Sequence, residues 1–316
     1  MFIALLLAVI AGFAVLQVWA GPGPAKANTT VLIAEGSSLT GAANALEKAG
    51  VIRSARAFTL LSRVFGGGTP IKAGEYRFLA HSSQSDVLAL LQGGRTLQRQ
   101  VTVPEGTASV FVYDLLMKAP GLTGEIQVPA EGSVLPDTYA YVRGETRQAV
   151  LDRMQKAMAD FLAGAWQKRK PGIAIDNPRD ALILASIVEK ETGKATERRM
   201  VAGVYSNRVK RNMKLEADPT VIYPVTRGRP LGRRILRSEL AAQNGYNTYA
   251  MIGLPQGPIS NPGRASIEAV LDPEATNAIF FVADGTGGHV FADTYEQHDA
   301  NVQKWRALRR ARGEIQ

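Results

Sequence analysis

The sequence contains no cysteine and only three histidines among its 316 residues. The absence of cysteine excludes a disulfide framework and every zinc site built from thiolates, although it does not identify the compartment. His289 and His298 lie nine residues apart near Asp293, a spacing that leaves a metal ion without a third ligand. We therefore predict that the protein binds no metal, and no pattern in the sequence predicts another cofactor.

Charged side chains are missing from the first twenty residues. The segment MFIALLLAVIAGFAVLQVWA contains one amide side chain, Gln17. Its length matches that of a helix that spans a bilayer core. Trp19 lies where an interfacial aromatic residue belongs. We predict an uncleaved transmembrane anchor over residues 1–20; the alternative is a signal peptide cleaved after Ala20. No basic residue precedes the segment, so flanking charge does not give its orientation.

The remaining composition is that of a folded protein with an anionic partner. Hydrophobic residues make up 46% of the chain and charged residues 21%, which argues against disorder. The length leaves room for a membrane segment and two or three modest domains. A net charge of +9 favours nucleic acid, acidic lipid head groups or a carboxylate-rich polymer as partner. Because both interpretations of the N-terminus place the rest of the chain outside the cytoplasm, we predict no nucleic-acid partner.

Short strand–helix units follow the N-terminal segment. Residues 21–30, GPGPAKANTT, form a linker by composition. The segment that begins at Val31 predicts a strand, a Glu-Gly turn and a helix, and a similar pattern begins at Val101. Between them, AGEYRF predicts a strand and SSQSDVLALLQGG a capped helix that ends at glycines. Such units resemble the LysM-type glycan-binding module, so we predict a LysM-like subdomain over 31–100; a plain α+β structural module is the alternative. Residues 101–145 are expected to form a connecting strand–helix region.

A second domain is expected over residues 146–316. The stretch PEGSVLPDTYAY precedes it, and a basic helix is predicted from Thr146 to about Lys170. The next stretch, DNPRDALILASIVEKETG, predicts a helix over 178–192 that Asn177 caps and Gly193 ends. The predicted fold class is therefore α+β, with an N-terminal membrane helix, a LysM-like subdomain and an α+β catalytic domain.

Glu189 ends a nearly continuous apolar run within this predicted helix. At 100° per residue it shares a face with three small or apolar residues, Leu182, Ala185 and Ser186. Glu191 is turned about 200° further round the helix, towards the side of Leu184 and Ile187. Small neighbours would leave room beside Glu189 for a substrate, as a general acid requires. The alternative is that the helix frays into solvent there and both glutamates are solvated charges.

The motifs that follow appear in a specific order: LEADPTVIYP (215–224), YNTY (246–249), GLPQGPISNPG (253–263) and FFVADGTGGHVF (280–291). Together with SIVEKET and EGSVLPDTY, they resemble the MltG (YceG-like) family of endolytic murein transglycosylases. The resemblance covers about nine-tenths of the chain. The sequence departs from the family pattern at Gln256, where a second proline is usual, and at Val134-Leu135, where an aromatic residue is common.

The resemblance implies that Glu189 is the catalytic acid/base. The implied reaction cleaves the MurNAc-GlcNAc β-1,4 bond within a nascent glycan strand, leaves a 1,6-anhydro-MurNAc end and terminates strand elongation. Most glycosidases need two carboxylates. A lytic transglycosylase uses the C6 hydroxyl of the sugar as nucleophile, so one carboxyl group can both donate and accept the proton.

Five further residues carry hydrogen-bonding groups or rings that suit a sugar: Asp218, Thr220, Tyr246, Asn247 and Tyr249. We predict that they bind substrate; turn formation and aromatic packing are the alternative for each. The basic stretch RGRPLGRRILR, residues 227–237, is expected to be a solvated loop, or else to contact stem-peptide carboxylates or anionic lipid.

The resemblance also implies where the protein acts. Its expected partners are peptidoglycan glycan strands, the membrane through a single-pass anchor, and cell-wall synthases. Its expected location is the bacterial inner membrane, with the catalytic domain in the periplasm. A competing hypothesis is a non-catalytic, membrane-anchored peptidoglycan-binding or scaffold protein with the same fold. An intact SIVEKE motif favours the enzyme.

Overall fold

The computed structural model describes residues 2–314. Met1, where the predicted anchor begins, and residues 315–316, where the predicted catalytic domain ends, lie outside this range. The chain divides into two compact units. Unit 1 takes the chain up to Gln100 together with Pro120–Thr123 and Ala140–Glu145. Unit 2 takes Val101–Ala119, Gly124–Tyr139 and the chain from Thr146 onward.

Unit 1 begins with α1 (Phe2–Ala20), an apolar helix with no buried residue. Within residues 2–314 it is the one helix that is long and apolar enough to cross a membrane. Near its end, the ring of Trp19 lies 5.7 Å from that of Phe65. A helix with this much exposed apolar surface is compatible with a single-pass membrane anchor.

The rest of unit 1 is a small α+β layer. Strand β1 (Thr29–Ile33) pairs antiparallel with β2 (Gly74–Phe78), and Val31 lies opposite Tyr76. Two helices, α2 (Leu39–Lys48) and α3 (Ala55–Phe65), lie between these strands in the chain. Each begins at a serine whose hydroxyl accepts a backbone N–H of the first turn.

Helix α4 (Gln84–Gly93) confirms the predicted capped helix of unit 1. Ser83 and Asp86 form a reciprocal capping box at its start, and Gly94 ends it in the left-handed conformation at φ 69°. Buried apolar residues from the strands and helices, among them Ile33, Leu46 and Phe58, form the core.

Strand β3 (Arg99–Thr102) leads from unit 1 to unit 2 and pairs with β4 (Thr138–Tyr141). The remaining elements of unit 2 are mostly helical. In chain order they are α5 (Ser109–Lys118), α6 (Arg147–Gln167), α7 (Pro178–Glu191), a 3-10 turn (Ala195–Glu197), α8 (Arg198–Lys210), α9 (Asp218–Thr226), α10 (Arg237–Leu240), α11 (Arg264–Leu271), β5 (Phe280–Ala283), β6 (His289–Ala292) and α12 (Tyr295–Ala311).

Helix α7 is the centre of the unit 2 core. Leu184, Ala185, Ile187 and Val188 are fully buried among residues of α8, α9 and α11. A helix that is apolar on nearly all sides has to lie inside the fold, and its polar C-terminal end is where it can meet solvent. Glu189 and Glu191, in the last turn of α7, therefore lie next to the buried core.

The boundaries of α7 agree with the sequence at its start and differ at its end. Asn177 caps the helix by accepting the N–H of Asp180, as predicted. The helix ends at Glu191, however, and Thr192 is extended. The Thr192 hydroxyl accepts the N–H of Lys194 at 3.1 Å, so this side chain redirects the backbone before Gly193 is reached.

Strands β5 and β6 form an antiparallel hairpin, with Ala283 opposite His289. Asp284 holds the connecting loop, because its carboxylate accepts the N–H groups of Thr286 and Gly288. The described residues contain helices and three two-stranded sheets, so the fold class is α+β, as predicted.

Candidate active site

Glu189 and Glu191 extend from the same end of α7 into different surroundings. Residues two positions apart in a helix are separated by about 200° around its axis, so the two side chains point in different directions. The carboxylate of Glu189 accepts the backbone N–H of Gly263 at 2.8 Å, and its side chain is 6% exposed. The sequence prediction that the two glutamates face different directions is confirmed.

The face of α7 that carries Ala185 and Ser186 packs against protein. The hydroxyl of Ser186 accepts the N–H of Ile259 at 3.0 Å, and the hydroxyl of Ser260 donates to the Ser186 carbonyl at 3.3 Å. Ala185 and Ser186 are both fully buried. The small residues one turn before Glu189 thus allow a neighbouring backbone segment to approach closely.

An ionic cluster surrounds Glu189. The guanidinium of Arg198 lies 3.9 Å from the Glu189 carboxylate and 3.6 Å from that of Glu105. Gly263 lies directly under Glu105, because a Cβ on Gly263 would lie 2.0 Å from a carboxylate oxygen of that flexible side chain. A Cβ at Gly106 would lie 3.3 Å from Cγ of Glu189. Glu189 therefore joins the end of α7 to α8 and to the loop before α5.

Glu191 lies in a cleft of about 390 Å³. Other residues that line it include Tyr205, Arg208, Glu216, Asp218, Tyr249 and His289. Burial raises the pKa of Glu191 from 4.5 to about 7; the nearby Asp218 carboxylate adds to this rise, whereas a hydrogen bond with Tyr205 and the charge of Arg208 oppose it. A carboxyl group with this pKa exists in both protonation states at neutral pH, so it can donate a proton and later accept one.

Asp218 and Tyr249 are the two predicted binding residues that share this cleft. Asp218 is the first residue of α9, and its carboxylate accepts a hydrogen bond from the Tyr249 hydroxyl at 2.7 Å. Burial raises the pKa of Tyr249, and the bond to Asp218 raises it further. The hydroxyl therefore stays protonated and keeps Asp218 in a fixed orientation beside Glu191.

Thr220 and Asn247 are placed beneath the cleft, where both are fully buried. The Thr220 hydroxyl donates to the carbonyl of Ala217 at 2.7 Å and contacts the hydroxyl of Thr248 at 2.8 Å. The Asn247 amide donates to three backbone carbonyls, those of Glu239, Leu240 and Ala242. Their polar groups are satisfied by the protein itself, so they hold the loops that carry Asp218 and Tyr249 in place.

Tyr246 lies apart from the Glu191 cleft. Its ring packs at 4.9 Å from that of Tyr223, at the margin of the core around α7. Aromatic packing, the alternative to substrate binding in the sequence analysis, describes its surroundings. The five predicted binding residues thus separate into Asp218 and Tyr249 in the cleft, Thr220 and Asn247 below it, and Tyr246 at another position.

Arg208 and Tyr205 contribute to the cleft although the sequence did not identify them. Arg208 donates to the carbonyls of Ile279 and Leu215 at 2.7 and 2.9 Å and to the carboxylate of Glu216 at 3.0 Å. Tyr205 is buried, and burial holds its pKa well above the ordinary value. Both belong to α8, and no local pattern marks them, because only the packing of α8 on α7 brings them to Glu191.

His289 adds an imidazole to the same cleft. Its Nδ1 lies 2.9 Å from the Glu197 carboxylate, which also accepts the backbone N–H of His289 at 3.3 Å. This pairing fixes the ring against rotation. Within residues 2–314, no group of three or more histidine and acidic side chains is arranged to hold a metal ion.

Comparisons with known proteins identify the family. The model of the YceG-like family matches residues 31–304. An endolytic murein transglycosylase of Streptococcus pneumoniae D39 is 30% identical over 88% of this chain, and this chain spans 58% of that protein's length. The Bacillus subtilis endolytic murein transglycosylase is 27% identical over 89% of this chain and 85% of its own length.

A solved structure has the same fold. The crystal structure of a yceG-like protein from Listeria monocytogenes superposes with a TM-score of 0.53 at 28% identity, covering 87% of this chain and 99% of that one. The match of the family model to most of the chain, together with these relatives, shows that the chain belongs to the YceG-like family.

Proposed function

We propose that this protein is an endolytic peptidoglycan lytic transglycosylase, a lyase that cleaves the MurNAc-GlcNAc β-1,4 bond inside nascent glycan strands. The names of the pneumococcal and Bacillus relatives support this activity. The observation that carries the proposal is Glu189, the glutamate of the SIVEKE motif, whose carboxylate accepts the Gly263 N–H at the end of α7 and faces Arg198.

Glu189 is the acid/base in this mechanism. Its protonated form donates a proton to the glycosidic oxygen, and the bond between C1 of MurNAc and that oxygen breaks. The C6 hydroxyl of the same MurNAc attacks C1, and the Glu189 carboxylate accepts the hydroxyl proton. The product is a 1,6-anhydro-MurNAc end, and Glu189 returns to its protonated form, so no water is consumed.

The surroundings of Glu189 support this assignment. Gly106 packs against the Glu189 side chain and also lines a cleft of about 890 Å³ in unit 2. A general acid has to reach the proton acceptor of the substrate within hydrogen-bond distance, and a glycan strand in this cleft would lie beside Glu189. Glu191 is the second candidate for the acid, because burial raises its pKa to about 7 and it lines a separate cleft of about 390 Å³, the Glu191 cleft.

Hydrolysis is the second candidate reaction, and one feature of the cleft favours it. Glu216 and Asp218 place further carboxylates beside Glu191, and a carboxylate that activates water would give a reducing MurNAc end. The bond from Tyr249 to Asp218 favours transglycosylation, because it occupies the carboxylate that is most directly coupled to Glu191.

Mass spectrometry of the products distinguishes these reactions. Purified full-length protein in detergent is incubated with uncrosslinked glycan strands, and the released ends are identified. We expect 1,6-anhydro-MurNAc ends from cuts inside the strands. Reducing MurNAc ends as the main product would identify a hydrolase, and intact strands that nevertheless bind the protein would identify a non-catalytic scaffold.

Unit 1 and α1 support two further proposals. The strand–helix–helix–strand order of β1, α2, α3 and β2, with its antiparallel strand pair, supports a LysM-like glycan-binding subdomain. The exposed apolar surface of α1 supports anchorage in the bacterial inner membrane, with the catalytic unit in the periplasm. At that place the enzyme would terminate strand elongation beside cell-wall synthases.

A further inference from the structure

Helix α3 of unit 1 has an apolar side that faces away from the core. Leu60 and Val64 are 64% and 65% exposed, and Phe65 is 46% exposed. Single exposed apolar residues are common, but three within six consecutive residues form a patch, and such a patch marks an interaction surface. The residues of α3 that are buried in unit 1 lie on the other side of the helix: Ala55, Phe58, Thr59 and Ser62.

Two arginines border this apolar side. At 100° per residue, Arg63, Arg56, Leu60 and Val64 follow one another round α3 within about 100°, and Phe65 lies about 100° beyond Val64. All five side chains are exposed. An apolar face with a cationic edge is typical of a helix that lies in the interface of a membrane.

The apolar side of α3 is continuous with the end of α1. The ring of Phe65 lies 5.7 Å from that of Trp19, which also packs against the core of unit 1. The 19 residues of α1 extend over about 28 Å, close to the thickness of a bilayer core, about 30 Å. If α1 spans a bilayer, Trp19 lies at the level of the lipid head groups, and Phe65 lies beside it.

The segment between α1 and β1 holds unit 1 at this level. The N–H of Gly23 donates to the carbonyl of His81 at 3.1 Å, and the N–H of His81 donates to the carbonyl of Ala25 at 2.8 Å. The Asn28 side chain accepts the N–H of Ala80 at 3.0 Å. The segment is therefore attached to the turn that follows β2, and unit 1 begins directly at the end of α1.

We propose that α3 is a second membrane contact of this protein. Its apolar residues Leu60, Val64 and Phe65 lie in the interface of the bilayer beside α1, and Arg56 and Arg63 bind the phosphates of anionic lipids. A single spanning helix leaves the attached unit free to rotate about the helix axis, whereas a second contact fixes which side of unit 1 faces the lipid. The proposal rests on the membrane anchorage of α1 and is independent of the reaction at Glu189.

Fluorescence quenching in nanodiscs tests this contact. The chain has no cysteine, so single cysteines can carry an environment-sensitive label in the full-length protein. With phosphatidylglycerol nanodiscs, we expect Leu60→Cys to lose fluorescence to lipids with a nitroxide near the head group, since interfacial helices are buried by about 5–10 Å. Label at Val9→Cys, within α1, should be quenched by a nitroxide at the end of the acyl chain.

Asn44→Cys is the matched control for Leu60→Cys. It lies at an exposed position of the neighbouring helix α2, which has no exposed large apolar side chain. We expect neither nitroxide lipid to quench a label there. Equal quenching at Asn44→Cys and Leu60→Cys would contradict a contact made specifically by α3.

The arginines are tested in the labelled Leu60→Cys protein. Arg56→Gln and Arg63→Gln should each lower the ratio of quenched to unquenched label about fivefold in phosphatidylglycerol, with little change in phosphatidylcholine alone. Lys48→Gln removes an exposed charge from α2 and should leave the ratio unchanged. An equal effect of Lys48→Gln would mean that overall charge, and not α3, attracts the lipid.

The label at Val9 separates failure of this proposal from failure of the anchor. Quenching at Val9→Cys without quenching at Leu60→Cys would overturn the contact of α3 and leave the anchor intact. Absence of quenching at both positions would overturn the anchor and the α3 contact together. A label at Leu60→Cys that is shielded from both nitroxide lipids and from iodide in the water would show that protein, such as a second copy of the chain, covers α3 instead of lipid.

Discussion

The carboxylate of Glu189 accepts the backbone N–H of Gly263 at 2.8 Å. This bond joins the last turn of α7 to a residue 74 positions later, just before α11 begins. It directs one of two neighbouring glutamates into the protein, and the other, Glu191, is left to line a cleft. The two glutamates therefore lie in different surroundings although they are only two residues apart.

Glu189→Gln is expected to lower the cleavage rate by at least about a hundredfold, because the amide can still accept the Gly263 N–H but has no acidic proton. Glu191→Gln is the matched comparison and should retain substantial activity, because Glu191 lines a different cleft. Product release by chromatography and thermal unfolding measure both effects. An inactive, folded Glu191→Gln beside an active Glu189→Gln would instead make Glu191 the acid.

The raised pKa of Glu191 predicts a change in stability with pH. The folded-state pKa of Glu191 lies above its unfolded value, so the folded protein binds more protons between about pH 4.5 and 7. The stabilisation from Glu191 is complete below that range and is lost as the pH rises through about 7. Wild type should therefore lose more stability than Glu191→Gln between pH 5 and 8 in parallel denaturant titrations. Identical losses in the two proteins would contradict burial of an ionisable Glu191.

The full-length chain should stay in the membrane fraction after washing with high salt and with carbonate. Burial of an apolar helix such as α1 does not depend on ionic strength, whereas surface charge contacts are screened by salt. N-terminal sequencing of the mature protein is the accompanying measurement. A soluble protein that begins at Gly21 would show that Ala20 precedes a cleavage site.

Much of the local structure was predictable from the sequence because short-range rules determine it. Asn177 starts α7 and Ser83 starts α4, since each side chain satisfies backbone N–H groups within one turn. The glycine-rich loop before His289 forms a hairpin for a similar reason. The end of α7 was missed because the Thr192 side chain redirects the backbone before Gly193.

The sequence by itself also determined that Glu189 and Glu191 face different directions, because helical periodicity fixes the angle between two side chains. It did not determine what surrounds each side chain. That depends on the segment around Ile259, which comes from a distant part of the chain and covers the small residues beside Glu189. It depends equally on α8, which brings Tyr205 and Arg208 to Glu191. Periodicity describes one helix, whereas the burial that raises the pKa of a carboxyl group arises only when other elements pack around it.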